Sequence, residues 1–542
     1  MKFITLVLAV ALAGFAEPAA AQPHIQAASA EAKADALLAA FTPDKPGLAV
    51  LVARGGKVIY ERNLGAADLE HAAPVNSATR FHIASVSKQF TAFAVMQLAR
   101  AGRIDLDADI HTYLPELADY GAKVTVSDLV HHTSGLRDQW ELMTLSGTSI
   151  DSLIRQKAII AMAANQKSLN FPPGPDFRYS TTGYSLLAEI VARTSGMSFK
   201  SYMAEHLFGR LGMTDTQVYD NAGDVMPNRA MSYFLDPIGV AHIARLNYAN
   251  YGLTSVHTTT HDLLKWSREL LHPAVFDLAL VHAIEQPGRL RDGRLMNYAF
   301  GMAQLPIGGH KALTHNGADA GYRSLIASFP AEDATIVVLS NGAADVSKIG
   351  DGLAEVFLGP APPPPATVTP DPVLVAKLAG FYADDWGPSL QLRVEEGKLV
   401  TGRGALQREA SFLPDGRFYF YAPEATFQLH PDGSLEQAIP LAGITEIFRP
   451  APRSTPTAGD LAAIAGVYHS DELDVTYRVS VAGLSLALSS PRSDPIPFFP
   501  ADADHFENPR TRLGVVRDAG GRVVALTIGS GRIQHLRFDK VG

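Results

Sequence analysis

The 542-residue chain contains no cysteine. That absence excludes disulfides, a thiolate nucleophile, thiolate metal sites and a lipid-modified N-terminal cysteine. Charge is sparse as well: charged residues make up 19%, the net charge is -9 and no basic run stands out, which speaks against a nucleic-acid partner. Beyond the N-terminus there is no apolar run long enough to read as a membrane span. Hydrophobic residues nevertheless reach 47%, enough for a large folded core and about three domains.

The N-terminus has its own pattern. Lys2 precedes an apolar run from Phe3 to Phe15, and Ala19-Ala20-Ala21 precede Gln22. Residues 1–21 therefore read as a secretory signal, the competing reading being an uncleaved anchor. The expectation is a periplasmic or secreted bacterial protein with no integral membrane segment once the signal is removed.

An alanine-rich stretch to about Phe41 reads as a helix. Leu48–Ala53 and Val58–Arg62 flank Gly55-Gly56 as a β-hairpin. Ser324–Phe329 and Ala334–Asn341 flank Pro330–Asp333 as a second hairpin, followed by a helix to about Leu358. Strands at both ends with helices between them predict an α+β domain, residues 30–358, whose antiparallel sheet draws on both ends of the segment. Residues 359–372 hold Pro360, Pro362 to Pro365, Pro370 and Pro372, a stiff linker that does not join a packed core. Past it, Leu378-Ala379-Gly380-Phe381-Tyr382 recurs as Ile464-Ala465-Gly466-Val467-Tyr468. Each copy continues in short strands and turns, which predicts all-β, barrel-like repeats at 373–450 and 460–542, as two barrels or two halves of one.

The chemistry begins at Phe81-His82-Ile83-Ala84-Ser85-Val86-Ser87-Lys88, which runs into the uncharged segment Gln89–Ala99. If this is a helix with Ser85 in its first turn, Lys88 shares a face with Ser85. A buried helix would desolvate the amine, lower its pKa and let it take the serine proton. Tyr179, in Phe177-Arg178-Tyr179-Ser180, is a candidate general base or proton shuttle beside that lysine. His315-Asn316-Gly317-Ala318 forms a strand edge open to substrate, where the Ala318 and Ser85 N–H groups can make an oxyanion hole. Leu129–Leu136, with His131-His132, reads as a helix end and turn that support the site. His131-His132 and the pair His257 and His261 raise zinc as a question. Neither comes with a His-Glu-x-x-His pattern or a third ligand, so no metal and no cofactor is expected.

In order along the chain, Phe-x-Ile-Ala-Ser85-Val-Ser-Lys88, His132-Thr-Ser-Gly-Leu136, Pro173-Gly174 before Tyr179-Ser180, Gly183-Tyr184-Ser-Leu-Leu187, Leu211–Thr216 and His315-Asn-Gly317 resemble the class C β-lactamase-related serine hydrolases. These include penicillin-binding D,D-peptidases, D-aminopeptidases and esterases. The resemblance covers about residues 30–358, and the repeats look more loosely like the accessory β-barrels of some members. It implies a serine β-lactamase-like fold, Ser85 as the acylated nucleophile and Lys88 as its base. Tyr179 would relay the proton to the leaving group and help activate the deacylating water. His315 stands where β-lactamases have the lysine of Lys-Thr-Gly, and a neutral imidazole holds a carboxylate less firmly. Thr181 stands where the family's Tyr-x-Asn motif has asparagine, and its single hydroxyl keeps only part of that amide's bonding unless a nearby residue compensates. Both departures favour an ester or an atypical amide, such as a D-amino-acid peptide, over penicillins. A true β-lactamase and a catalytically weak sensor of peptidoglycan fragments are the competing readings. The sequence assigns no oligomeric state. In relatives with such domains an accessory loop narrows the active site, so residues 373–542 are expected to restrict access to Ser85, against the alternative of a wall- or partner-binding appendage.

Overall fold

The computed structural model describes residues 29–149, 152–384, 387–403, 406–490 and 493–542. The signal-like segment 1–21 lies outside them. The first domain opens with α1 (Ala30–Leu37) and the hairpin β1 (Leu48–Arg54) and β2 (Lys57–Leu64). Its two-residue turn, Gly55-Gly56, takes φ of 55° and 73°, as a type I′ connection requires. The long helices α2 (Ser87–Arg100), α3 (Thr181–Ser195) and α4 (Thr260–Leu271) follow. Strands β3 (Ala303–Ile307), β4 (His310–Asp319), β5 (Tyr322–Phe329) and β6 (Ala334–Ser340), then α5 (Val346–Leu358), complete the domain.

The sheet order is β3-β4-β5-β6-β1-β2, all antiparallel. The predicted sharing of one sheet between chain ends is the β1–β6 pairing, which runs from Leu48 opposite Ser340 to Arg54 opposite Ala334. β1 and β6 are apolar without alternation because both of their faces are covered. Ala49, Leu51, Ala53, Val337 and Leu339 enter the core shared with α2 and α4. Leu48, Val50, Val52, Ile336 and Val338 enter a second core under α1 and α5. α2 is the axis of the larger core, with every residue buried except Gln97, Ala99 and Arg100. Phe90 and Phe93 pack on Trp266 of α4, each contributing about 1.5–3 kcal/mol of burial. Among the described residues no helix is long and apolar enough to cross a membrane.

The proline-rich segment holds no helix or strand of its own from Gly359 to Asp371, yet it touches structure at both ends. Pro362 lies so close to Gly309 that a Cβ there would sit 2.3 Å from its ring, and the Val368 N–H donates to the Phe412 carbonyl at 2.9 Å. Beyond it the repeat resolves into two separate units, each opened by a short helix, α6 (Pro372–Leu378) and α7 (Ala458–Ile464). The recurring motif has a structural reason. The Tyr382 hydroxyl donates back to the Leu378 carbonyl at 3.1 Å, and Tyr468 does the same to Ile464, clamping each helix end to the first strand. The second unit is a closed barrel of eight strands, from Gly466–Ser470 to Ile533–Lys540. The first is a nine-stranded sheet whose two edge strands, Arg408–Glu409 and Ser411–Phe412, are separated only by Ala410, so the sheet curls almost to closure.

Both units are docked on the first domain. Glu472 at the barrel rim forms a buried ion pair with Arg137 at 3.1 Å, with side chains only 7% and 1% exposed. Nearby, Ser530 Oγ donates to Glu141 at 2.7 Å and the Gln534 N–H to Asn170 Oδ1 at 2.8 Å. The other unit sends Ala442 and Ile444 into a small core with Phe177, Met296 and Tyr298, and Asn297 Nδ2 donates to the Pro440 carbonyl at 2.8 Å.

Candidate active site

Ser85 does not lie in the first turn of the α-helix itself. It sits in a single 3-10 turn, Ala84–Val86, that feeds into α2 at Ser87. Ala84 takes φ 47°, a left-handed conformation that costs a non-glycine residue about 1–2 kcal/mol. The turn is held from outside: Ser324 Oγ donates to the Ile83 carbonyl at 2.7 Å, and Ile83 N–H donates to Val256 O at 3.0 Å. Gly317 of β4 packs directly on the same turn. A Cβ on Gly317 would lie 2.4 Å from the Ile83 carbonyl and 2.3 Å from Ser324 Oγ. Glycine there is what lets β4 bring Ala318 alongside Ser85, and both residues line one cavity.

Lys88 is wholly buried, and its Nζ lies 3.1 Å from Ser85 Oγ. Its second partner is the Leu253 carbonyl at 2.9 Å. Gly252, at φ 95°, lets that segment pass so near α3 that a Cβ would meet the Tyr184 carbonyl at 2.3 Å. The rings of Tyr179 and Tyr184 stand 5.0 and 5.6 Å from the amine. Burial, with the Arg532 charge adding to it, lowers the Lys88 pKa to about 7, while Asp138 and Asp319 pull the other way.

Tyr179 follows the opposite logic. Burial pushes its phenol up to about 12, against the pull of the nearby Ser85 hydroxyl and Arg532. It is therefore a protonated phenol at neutral pH, which suits the shuttle and not the base of the two roles the sequence left open. Its hydroxyl makes no well-formed hydrogen bond and its ring lies against His132, with centroids 4.3 Å apart. His132 Nδ1 in turn accepts from the Ser180 N–H at 3.2 Å, so the His132-Thr-Ser-Gly segment is a wall of the site, as its sequence suggested.

His315 is 7% exposed, with Nδ1 2.5 Å from the Asn316 carbonyl and Nε2 3.4 Å from Tyr298 Oη. Burial, then the Lys88 charge, lowers its pKa to about 3, leaving a neutral imidazole. Thr181 departs from its expected substrate role. Its N–H and its hydroxyl both donate to Asp138 Oδ2 at 2.8 Å, so its one donor proton is already committed. Arg532, from the barrel's last hairpin, approaches the same carboxylate. Its guanidinium lies 3.5 Å from Asp138 Oδ2 and 5.0 Å from the Tyr179 ring centroid. Asn170 Nδ2 holds the Arg532 carbonyl at 3.0 Å.

Two cavities meet at Ser85. One, of about 320 Å³, is lined by Thr181, Thr254, Asp319 and Arg323 among others. The second, of about 420 Å³, is mainly apolar and is lined by Leu305, His315, Asn316 and Leu441. Tyr179, Ala318 and Arg532 border both. Sequence reasoning missed Asp319, Asp138 and Arg532. Asp319 directly follows Ala318 and Asp138 follows the His132–Leu136 motif, so adjacency could have flagged those two; nothing local marks Arg532. The zinc question finds no support in placement. His257 is in a buried strand, Val256–Thr258, and His261 pairs with Glu61 at 3.2 Å outside it. Among the described residues no group of three or more His, Asp or Glu could hold a metal ion.

The Beta-lactamase family model matches residues 30–356. Penicillin-binding protein 4* of Bacillus subtilis (strain 168) is 26% identical over 426 residues, spanning 72% of this chain and 94% of that protein. A D-aminopeptidase of Gluconobacter oxydans (strain 621H) is 25% identical over 540 residues, 94% of this chain and 98% of that protein, so the similarity extends through both accessory units. Among solved structures, the octameric penicillin-binding protein homologue from Pyrococcus abyssi shares the fold, with a TM-score of 0.55 at 21% identity over 77% of this chain and 99% of that one.

Two outcomes follow from the geometry. With Lys88 near 7 and free base above it, kcat/KM on p-nitrophenyl acetate should rise through a single ionisation near pH 7. Below it activity should fall by about tenfold per pH unit, since Tyr179 and His315 titrate outside the range 5–9. A flat profile across that range would remove Lys88 as the base. The second outcome concerns Gly317→Ala, which forces β4 away from the nucleophile turn. It should lower kcat by about 100-fold while thermal unfolding still shows a folded protein. A folded variant with near-normal kcat would rule out Ala318 as an oxyanion donor.

Proposed function

The chain belongs to the Beta-lactamase family, and from that premise we propose that this serine hydrolase cleaves small amides or esters of D-amino acids through an acyl-enzyme on Ser85. The observation that carries the reading is the buried Lys88 amine, held 3.1 Å from Ser85 Oγ with its pKa brought to about 7. A neutral Lys88 takes the Ser85 proton as Oγ attacks the carbonyl carbon, and the oxyanion is met by the N–H groups of Ser85 and Ala318. As the tetrahedral intermediate collapses, the Tyr179 phenol gives its proton to the leaving nitrogen or oxygen and recovers one from the Lys88 ammonium. A water activated by the same Lys88–Tyr179 pair then hydrolyses the ester on Ser85, and its proton returns to the serine.

Similarity to a D-aminopeptidase across nearly the whole chain supports the D-amino-acid substrate. The neutral His315 and the committed Thr181 hydroxyl weigh against a penicillin, whose carboxylate and amide side chain would find fewer partners. The signal pattern in residues 1–21 supports a periplasmic or secreted location, and peptidoglycan-derived peptides are a fitting source of D-amino acids there. The accessory units belong to the reading as well: Arg532 from one and Leu441 from the other border the cavities at Ser85, which supports control of access rather than a distant appendage.

D-alanine p-nitroanilide and p-nitrophenyl acetate should both be turned over with higher kcat/KM than nitrocefin, and Ser85→Ala should abolish all three along with fluorophosphonate labelling. Nitrocefin ahead by a wide margin would restore the β-lactamase reading, and absence of both labelling and turnover would favour a binding protein. For access, Arg532→Ala should raise kcat/KM for bulky D-aminoacyl esters relative to small ones. An unchanged ratio across a size series would leave the accessory units an appendage.

A further inference from the structure

Three backbone segments must keep register for the chemistry at Ser85, and one side chain reaches all three. Strand β4 carries the Ala318 N–H and ends one residue later, at Asp319. The nucleophile turn, Ala84–Val86, begins just after His82, and the loop that gives Lys88 its carbonyl runs from Leu253 into Thr254. Asp319 Oδ2 accepts from Thr254 Oγ1 at 3.0 Å and lies 3.1 Å from His82 Nε2, while Oδ1 accepts from Tyr248 Oη at 2.8 Å. Thr254 Oγ1 and His82 Nε2 are themselves 2.8 Å apart. A hydroxyl has one proton to give, so Thr254 gives it to Asp319 and accepts from the imidazole, which closes a ring of three side chains.

The loop is one that needs holding. Leu253 and Thr254 lie between Gly252 at φ 95° and Ser255 at φ 81°, and for Ser255 the left-handed conformation costs about 1–2 kcal/mol. Thr91 of α2 donates to the Gly252 carbonyl at 2.7 Å from one side, and Asp319 holds Thr254 from the other. The His82 side chain is wholly buried and that of Asp319 is 13% exposed, so water competes little for these bonds. Burial would raise the Asp319 pKa, but the bonds from His82, Tyr248 and Thr254 outweigh it and hold the carboxyl below the usual carboxylate range. Hydrogen bonds to a charged acceptor are about twice as strong as neutral ones.

We propose that Asp319 is a positioning residue: its carboxylate holds the oxyanion strand, the nucleophile turn and the Leu253 carbonyl in one register, so that acylation of Ser85 depends on it and substrate binding does not. An amide is a poor replacement. Asparagine offers a single carbonyl oxygen, and whichever way it turns, its NH2 group meets a native donor, Tyr248 on one side or Thr254 and His82 on the other. The carboxylate also acts on Lys88 without touching it. Burial and the Arg532 charge lower the Lys88 pKa, and Asp319, with Asp138, opposes them. The inference rests on Lys88 as the base for Ser85 and holds for an ester or an amide alike.

Single-turnover acylation by p-nitrophenyl acetate tests it on the full chain. This neutral ester offers a carboxylate no charge to bind, and the method separates the acylation rate constant from Ks. Asp319→Asn should lower the rate constant by about 10- to 100-fold with Ks within about twofold. It should also move the midpoint of the pH profile to lower pH, since an anion that favours the Lys88 ammonium is gone. The other titratable groups near Lys88, namely Asp138, Arg532, Tyr179, Tyr184, His132 and His315, are unchanged in this variant. Asp319→Glu, which keeps the charge but displaces it, should slow acylation and leave the midpoint near that of the wild type. Thr254→Val removes one link and no charge; it should slow acylation, and adding it to Asp319→Asn should cost little more. An acylation rate near that of the wild type in folded Asp319→Asn, a loss confined to Ks, or a midpoint that does not fall would each overturn the proposal. Should Asp319→Asn not fold, unimpaired acylation by Thr254→Val would overturn it instead. A flat wild-type profile from pH 5 to 9 would remove Lys88 as the base, and the premise of this inference with it.

Discussion

Lys88 is an amine with no carboxylate partner, enclosed in the core next to a serine. The unfavourable burial of that charge is the constraint on which the rest of the site is organised. α2 must be the central helix for Lys88 to be desolvated. The segment at Gly252 and Leu253 must pass close enough to offer a carbonyl, and the tyrosine rings close the remaining space. A carbonyl and aromatic faces accept from a neutral or a charged amine alike, so the proton can leave without stranding a buried anion. Were an aspartate in direct contact with Nζ, the ammonium would be held and the base lost.

Around this centre the protein uses one device repeatedly: glycine where two backbones must nearly touch. Gly317 sets β4 against the nucleophile turn and Gly252 sets the Leu253 carbonyl against α3. Each exchanges side-chain packing for position, and each sits beside an atom that meets Ser85 or Lys88. The left-handed Ala84 is the complementary strain, held by Ser324 and by the short strand at Val256.

The accessory units change the charge and the shape of the cleft from outside the catalytic domain. The Arg137–Glu472 pair is buried, and removing either partner would leave an unpaired charge at a cost of about 3–5 kcal/mol. Docking of the barrel is thereby specific, and Arg532 arrives in a fixed place against Asp138 and Tyr179. It shares the Asp138 carboxylate with Thr181, and it adds to the depression of the Lys88 pKa. One face of the cleft is thus polar, with Asp319 charged; the other is apolar, closed by Leu441 from the neighbouring unit.

What the sequence determined by itself is what depends on short range. The three-residue step from Ser85 to Lys88 puts hydroxyl and amine on one face, and the unbroken apolar runs of β1 and β6 announce a sheet covered on both sides. The tyrosine that ends each repeat motif clamps its own helix four residues back, so the repeat was legible as a fold unit. The number of barrels was not, because closure rests on pairings such as Tyr468 with Lys540 between strands far apart in the chain. Nor did the residues alone tell base from shuttle: Lys88 near 7 and Tyr179 near 12 result from shared burial and from an arginine of another domain. Thr181 could be seen to lack an amide, but its commitment to Asp138 needs two distant segments to meet, and the Arg532 charge beside that carboxylate exists only once the barrel has docked. Asp319 is held as a carboxylate on the cavity wall only when His82, Tyr248 and Thr254, drawn from three separate segments, converge on it. Local pattern specifies which groups are available; the tertiary structure sets their protonation and their partners, because burial and long-range contact do not exist until the chain is folded.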